Sequence, residues 1–374
     1  HGRLLVIGPL DAATDAAARL ADALEVRVLA TDGAGDHIAR PDVEGFGPRL
    51  LRARPAAVEG HLGAYRVRVA HGGAPVDLAR RFGLGDDEPF DLVLDLDDPP
   101  ALQREKLPPG YHAAADPAAL EAAVAQLPGL VGEFEKPRYF SYDAAICVHG
   151  SRGQRGCTRC LDHCATEAIR SAGERIEVDP WLCQGCGSCA TVCPTGAIGY
   201  TAPSGEGLAD ELRATLRRYR EAGGRDPVVL FHDGEAGAAA LAEWAPEMPE
   251  SVLPVEVEDT GGIGPDAWLV ALAYGAGRVV LAVPPGTPAS ERAASAAELA
   301  FVQEVLGGLG QPADRVALVV IGGDETALAG APAPLVEQPA TFAGFGGKRA
   351  RMRHAIAHLY REAGAGAPAR TLSA

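Results

Sequence analysis

Short apolar runs recur along the chain, and most are separated by segments with helical periodicity. "RLLVIG" (3–8) and "VRVLAT" (26–31) flank the helical "DAATDAAARLADAL" (11–24), a β-α-β opening. Further strands are predicted at "AYRVRVA" (64–70), which alternates, and at "FDLVLDL" (90–96). "DPAALEAAVAQL" (116–127) begins like a helix, with Asp116 as N-cap and Pro117 at the first helical position. After "LADELRATLRRYREAG" the alternation becomes regular. It predicts strand 227–233, a helix from 237, strand 251–257, helix 265–276, strand 278–283, helix 289–310 and strand 315–323. Four short apolar strands spaced by helices imply a parallel sheet covered on both faces. A Pro-rich stretch, "GAPAPLVEQPA", then precedes the basic helix "KRARMRHAIAHLYREAG".

The longest apolar runs, such as "VVLAV" and "VALVVI", are too short for a transmembrane helix, and no membrane span is expected. Lys and Arg number 34 against 50 Asp and Glu, a net charge of −16. That balance argues against nucleic-acid binding, which needs clustered cations, and against a polybasic membrane contact. The first residue is His and "APARTLSA" closes the chain like a linker, so a fragment or processed chain is expected.

Cysteine changes the picture. All eight fall between Cys147 and Cys193. A disulfide-stapled secreted protein would spread them, so their confinement predicts a metal site and a reducing, cytoplasmic setting. An internal repeat runs through them: "GCTRCLDHCATEAI" (156–169) superimposes on "GCGSCATVCPTGAI" (185–198) at an offset of 29 residues. "ERIEVDP" between the copies alternates like a strand.

Cys183, Cys186, Cys189 and Cys193-Pro194 form C-x2-C-x2-C-x3-C-P. This resembles the bacterial ferredoxin run for a 4Fe–4S cluster, in which the fourth cysteine ligates the other cluster of a pair. Three closely spaced thiolates wrap one cubane, and the fourth is expected to begin a helix directed at its neighbour. The first copy supplies Cys157, Cys160 and Cys164, but Gln154 stands opposite Cys183. Cys147 lies seven residues upstream of that vacancy, across a loop with three glycines that lets the chain bend back. Two cubanes need eight thiolates, and the chain has eight. The expected assignment gives cluster A Cys147, Cys157, Cys160 and Cys193, and cluster B Cys183, Cys186, Cys189 and Cys164. The alternatives at this stage are a 3Fe–4S cluster with Cys147 inert, or His149 in place of Cys147. Paired four-cysteine zinc sites compete less well, since zinc ribbons use two C-x2-C knuckles per metal.

Ala165 stands where the ferredoxin run has Pro. Arg152, Arg155 and Arg159 make this stretch locally positive on an acidic chain. Such cations would raise the potential of cluster A or receive an acidic redox partner, or else form an ordinary solvated face.

Over a wider span, "VEGHLGAYRVRV", the cysteines and "GPDAWLVALAYGAGRVVLAV" are together similar to heterodisulfide-reductase A-type proteins fused to a methyl-viologen-reducing hydrogenase delta-type domain. The resemblance implies electron transfer beside a larger redox enzyme, such as a formate dehydrogenase. The delta-type 2Fe–2S cysteines are missing here. The expected fold class is α/β: a Rossmann-like domain over 1–132, a dicluster ferredoxin domain over 133–205, a delta-like parallel-sheet domain over 206–330, and a linker with the basic helix over 331–374. FAD is not expected, because only Gly8 of the dinucleotide fingerprint is present and Leu10 and Ala13 take the other glycine positions. Asp32, after the second strand, has no glycine loop to support it. The alternative function is a flavin- or NAD-dependent oxidoreductase with a site in a flanking domain. His232, Asp233 and the 284–287 loop could line a crevice there, but capping is their commoner use. His354 and His358, at i and i+4, lack a third metal ligand and are expected at the surface.

Overall fold

Strand β1 (Arg3–Gly8) is buried at every position. Around it, in this computed structural model, a five-stranded sheet assembles in the order β3-β2-β1-β7-β8, with β2 Glu25–Ala30, β3 Leu50–Arg52, β7 Leu92–Asp95 and β8 Tyr111–Ala113. All its pairings are parallel. Residues 1–363 are described apart from 86, 87, 152, 325, 329 and 331. The chain forms two compact units, His1–Lys136 and Pro137–Ala374.

In the first unit the period-2 pleat separates two cores. Leu4, Val6, Val28 and Leu94 join Ala13, Ala16 and Leu20 of helix α1 (Leu10–Leu20) and Ala123 of α3 (Pro117–Gln126). Leu5, Ile7, Leu29 and Val93 face the other way, toward Val58, Val67 and Val69. Those last residues belong to a separate antiparallel sheet, β4 (Pro55–Glu59), β5 (Arg66–His71) and β6 (Ala74–Asp77), followed by the short α2 (Leu78–Arg81). "AYRVRVA" is therefore a strand as expected, but it covers the parallel sheet instead of extending it. Asp116 caps α3, accepting from the Ala119 N–H at 2.9 Å.

The second unit opens with the cysteine region: β9 (Phe140–Tyr142), the small hairpin β10 (Gly150–Ser151) and β11 (Gln154–Arg155), α4 (Arg159–Asp162), β12 (Ile169–Ala172), β13 (Arg175–Val178), α5 (Ser188–Val192) and β14 (Ile198–Tyr200). It continues as α6 (Gly205–Glu221), β15 (Val228–Asp233), α7 (Ala236–Trp244), β16 (Val252–Val257), α8 (Pro265–Ala273), β17 (Arg278–Val283), α9 (Ala289–Gly308), β18 (Val316–Val320) and α10 (Lys348–Glu362). The expected parallel sheet is present, in the order β16-β15-β17-β18.

Every residue of α8 is buried, which explains why its sequence is apolar all round apart from Asp266 in its first turn. The basic helix α10 packs on α8. Its Ala355 and Leu359 are buried there, and Arg351 pairs with Asp266 at 2.7 Å. Among the described residues no helix is long and apolar enough to cross a membrane.

Candidate metal centre

The two copies of the cysteine repeat fold alike. In the first copy, the strand after the cysteines, β12, pairs antiparallel with β13, Ile169 opposite Val178. In the second, the equivalent β14 pairs with β9, Ile198 opposite Tyr142. Ile169 and Ile198 are repeat mates, so Tyr142 and Val178 are structural mates too. The Asp143 N–H donates to the Ala197 carbonyl and the Asp179 N–H to the Ala168 carbonyl, each at 2.8 Å. Both aspartates then turn the chain, Asp143 accepting from the Ala145 N–H at 2.9 Å and Asp179 from the Trp181 N–H at 2.8 Å.

Counting on from these mates settles where Cys147 stands. Cys147 follows Tyr142 by five residues and Cys183 follows Val178 by five. Cys147 therefore occupies the position of Cys183, and seven residues are inserted behind it. Gln154, which the ungapped repeat sets opposite Cys183, belongs to that insertion, in β11. The insertion folds back as the β10–β11 hairpin. Its base is closed by the Gly156 N–H donating to the His149 carbonyl at 2.6 Å and the Cys157 N–H to the Val148 carbonyl at 3.0 Å. The Gly153 N–H ties its tip to Glu174 at 2.8 Å.

One cavity is lined by Cys147, Cys157, Cys160 and Cys193, with Tyr142, His149, Arg159 and Thr195. The Tyr142 hydroxyl hydrogen-bonds the Cys147 sulfur. Burial, and after it the nearby Cys193, Cys157 and Cys147 sulfurs, pushes the Cys160 thiol up to about 12. Cys189 is held well above the ordinary thiol value by burial first, then by Cys186, Cys164 and Cys183, and only after them by Cys160. The eight thiols thus divide crosswise: Cys193 of the second run stands with the first, and Cys164 of the first run with the second.

Cys164 and Cys193 each approach the hydroxyl of a threonine two residues on, Thr166 and Thr195, at 3.6 Å. For Cys193, burial raises the thiol, yet hydrogen bonds from Ile198 and Thr195 and the charge of Lys348 bring it below the usual range. Cys193 does not begin a helix. It ends α5, in extended backbone at φ −69° and ψ 114°.

His149 cannot take the place of Cys147 without breaking its own contacts. Its Nδ1 lies 2.8 Å from the Cys157 carbonyl and its Nε2 2.7 Å from the Ser171 hydroxyl, which engages both nitrogens. All-sulfur donor sets suit iron–sulfur clusters, and the residues around both groups fit them.

The profile of the 4Fe-4S dicluster domain matches residues 155–197. This region is a ferredoxin-type domain. It supports 4Fe–4S binding and iron–sulfur electron transfer. Cys147 lies upstream of the matched stretch, so its equivalence to Cys183 rests on the strand registers alone. No curated protein matches the chain.

Three contacts near the ferredoxin-type domain were not visible to sequence reasoning. The Lys348 ammonium, at the start of α10, donates to the carbonyls of Ala190, at 2.8 Å, and Thr191 on α5. Arg159, which lines the cavity, is ion-paired with Glu298 of α9 while 45% of its side chain stays exposed. Gly187, at φ +74°, lies so close to Gly262 that a Cβ there would strike its Cα. Arg152 lies outside the described residues.

The other sequence candidates are spent locally. His232 meets the Asp233 carbonyl at 3.0 Å, and Asp233 caps the start of α7 by accepting from Glu235 and Gly237. Thr287 donates to Pro284 within its own turn at 2.8 Å. The His354 ring rests on Phe342, and His358 meets the Gln338 carbonyl at 2.8 Å.

At the crevice where the first sheet reverses, Asp32 accepts from the Leu10 N–H at 2.8 Å, on the helix start a phosphate would use. The Asp97 carboxyl is raised by burial and by its neighbours Asp95 and Asp32. A Cβ on Gly8 would meet the Leu96 Cβ at 2.8 Å, so packing against Leu96 accounts for this glycine. Carboxylates in the phosphate seat do not fit a dinucleotide.

Proposed function

We propose that the chain is an electron-transfer subunit that relays single electrons through two 4Fe–4S clusters to or from a larger redox enzyme. Cluster A takes Cys147, Cys157, Cys160 and Cys193; cluster B takes Cys183, Cys186, Cys189 and Cys164. The observation that carries the reading is the equivalence of Cys147 and Cys183, each five residues beyond a matched strand position. When bound, the clusters supply one-electron redox chemistry. The chain supplies thiolates, burial, and hydrogen bonds to the sulfurs from Tyr142, Thr166 and Thr195.

The resemblance to heterodisulfide-reductase A and hydrogenase delta-type proteins supports a place beside a larger cytoplasmic enzyme, with formate dehydrogenase chemistry a natural companion. A redox partner would dock near Arg152, Arg155 and Arg159. The working division is 1–132, the dicluster domain 133–205, the delta-like domain 206–330, and the linker and helix 331–374. The test is Cys147→Ala in the anaerobically reconstituted full chain. Iron should fall from about eight per chain to about four, the content of a single cubane. Iron remaining at about eight sinks the ligand assignment.

A further inference from the structure

The two halves of the ferredoxin-type region match in strand register, turn and threonine contact, so comparing them isolates what differs. The hydrogen bonds to Cys164 and Cys193 are the same length, 3.6 Å. The charges are not the same.

Near the cluster A thiols, Lys348 donates to the carbonyls at the end of α5, the helix that leads directly into Cys193. Its charge bears on Cys193. Arg159 lines the cluster A cavity. Its partner Glu298 and the Arg351–Asp266 pair complete the surrounding network. Among the described residues of that network, Lys348, Arg159 and Arg351 meet the carboxylates of Glu298 and Asp266, which leaves one positive charge.

Two carboxylates bear on Cys186 of cluster B. Glu291 of α9 is 3% exposed, and its charge bears on Cys186. Asp259 accepts from the Gly261 N–H at 2.8 Å, and a Cβ on Gly261 would meet the Cys186 carbonyl at 2.7 Å.

Adding an electron makes a cluster more negative. A buried cation favours that change and a buried carboxylate opposes it, both more strongly than in water. We propose that the clusters are unequal, with cluster A at the higher potential because of Lys348 and cluster B at the lower because of Glu291 and Asp259. A single electron given to the module then comes to rest on cluster A. This rests on the two-cubane reading above.

The test is protein-film voltammetry of the reconstituted full chain, with iron and sulfide counted in parallel. Two one-electron waves are expected, separated by at least a tenfold difference in oxidised-to-reduced ratio, about 59 mV. Lys348→Met should lower the higher wave and leave the lower in place, and Lys348→Arg should keep it. Glu291→Gln should raise the lower wave alone, an independent arm should the Lys348 variants lose the fold. Coincident waves at about eight iron, or Lys348→Met moving the lower wave, overturn this inference and leave the two-cubane reading standing. About four iron per wild-type chain overturns both.

Discussion

Arg351 donates to one oxygen of Asp266 through both Nε, at 3.0 Å, and Nη2, at 2.7 Å. Each side chain is only 11% exposed. The pair fastens α10 to the start of α8, beside Lys348 and α5. Removing one member leaves the other charge buried and alone, which costs about 3–5 kcal/mol. Arg351→Met should lower the urea midpoint accordingly without changing the slope. A loss below about 1 kcal/mol would show that the pair is idle.

The inserted hairpin should be dispensable for cluster binding. Val148 and Gly156 meet at its base, so deleting residues 149–155 joins them and produces Cys147-Val148-Gly156-Cys157, the spacing of the second copy. The shortened chain is expected to hold its full iron, at some cost in stability from the lost His149 hydrogen bonds, about 1 kcal/mol each. Iron halved in this variant would mean that the hairpin itself positions Cys147.

Two glycines with similar backbones should respond differently to alanine. Gly173, at φ +73°, has no atom within 4 Å of a Cβ, so only the backbone penalty of about 1–2 kcal/mol applies. Gly187, at φ +74°, adds a collision with Gly262, and overpacking raises the cost by about 1–3 kcal/mol more. Thermal melts of Gly173→Ala and Gly187→Ala should rank in that order. Equal melting temperatures would dismiss the close approach.

The metal-free protein should weaken in alkali. Burial holds the Cys160 thiol up at about 12 and raises Cys186 and Cys189 above the ordinary thiol range as well. Raised folded values mean that the stabilising contribution is intact below the ordinary thiol range. It is lost as pH climbs from about 9 toward 12, where only the unfolded chain ionises freely. Melting temperature should fall between pH 8.5 and 10.5 in the apo-protein, and should fall less after Cys160→Ser. A flat profile would contradict the buried placement of these thiols.

Both parallel sheets were legible through central strands such as β1, β7 and β17, which are apolar on consecutive positions as burial on both faces requires, whereas the short β3 and β8 carry too few residues to show a pattern. The alternation of Arg66, Val67, Arg68 and Val69 identified a strand, but nothing local in it says which sheet it joins. The thiol set was legible from spacing and from the count of eight. The equivalence of Cys147 and Cys183 was not, because the insertion shifts the repeat and only paired strands restore the register. The fourth cysteine of the run was expected to begin a helix, yet Cys193 closes one. Lys348 was visible only as a charge on a basic helix. Its contacts with Ala190 and Thr191 join residues more than 150 apart in sequence, and no local pattern encodes them.

A duplicated module with identical halves would look the same to a partner arriving from either end. Here the β10–β11 hairpin stands behind Cys147 and has no counterpart behind Cys183. It flanks one end only, with the exposed Val148 at its foot. The module is therefore keyed: its two ends differ in shape even where their thiol sets match.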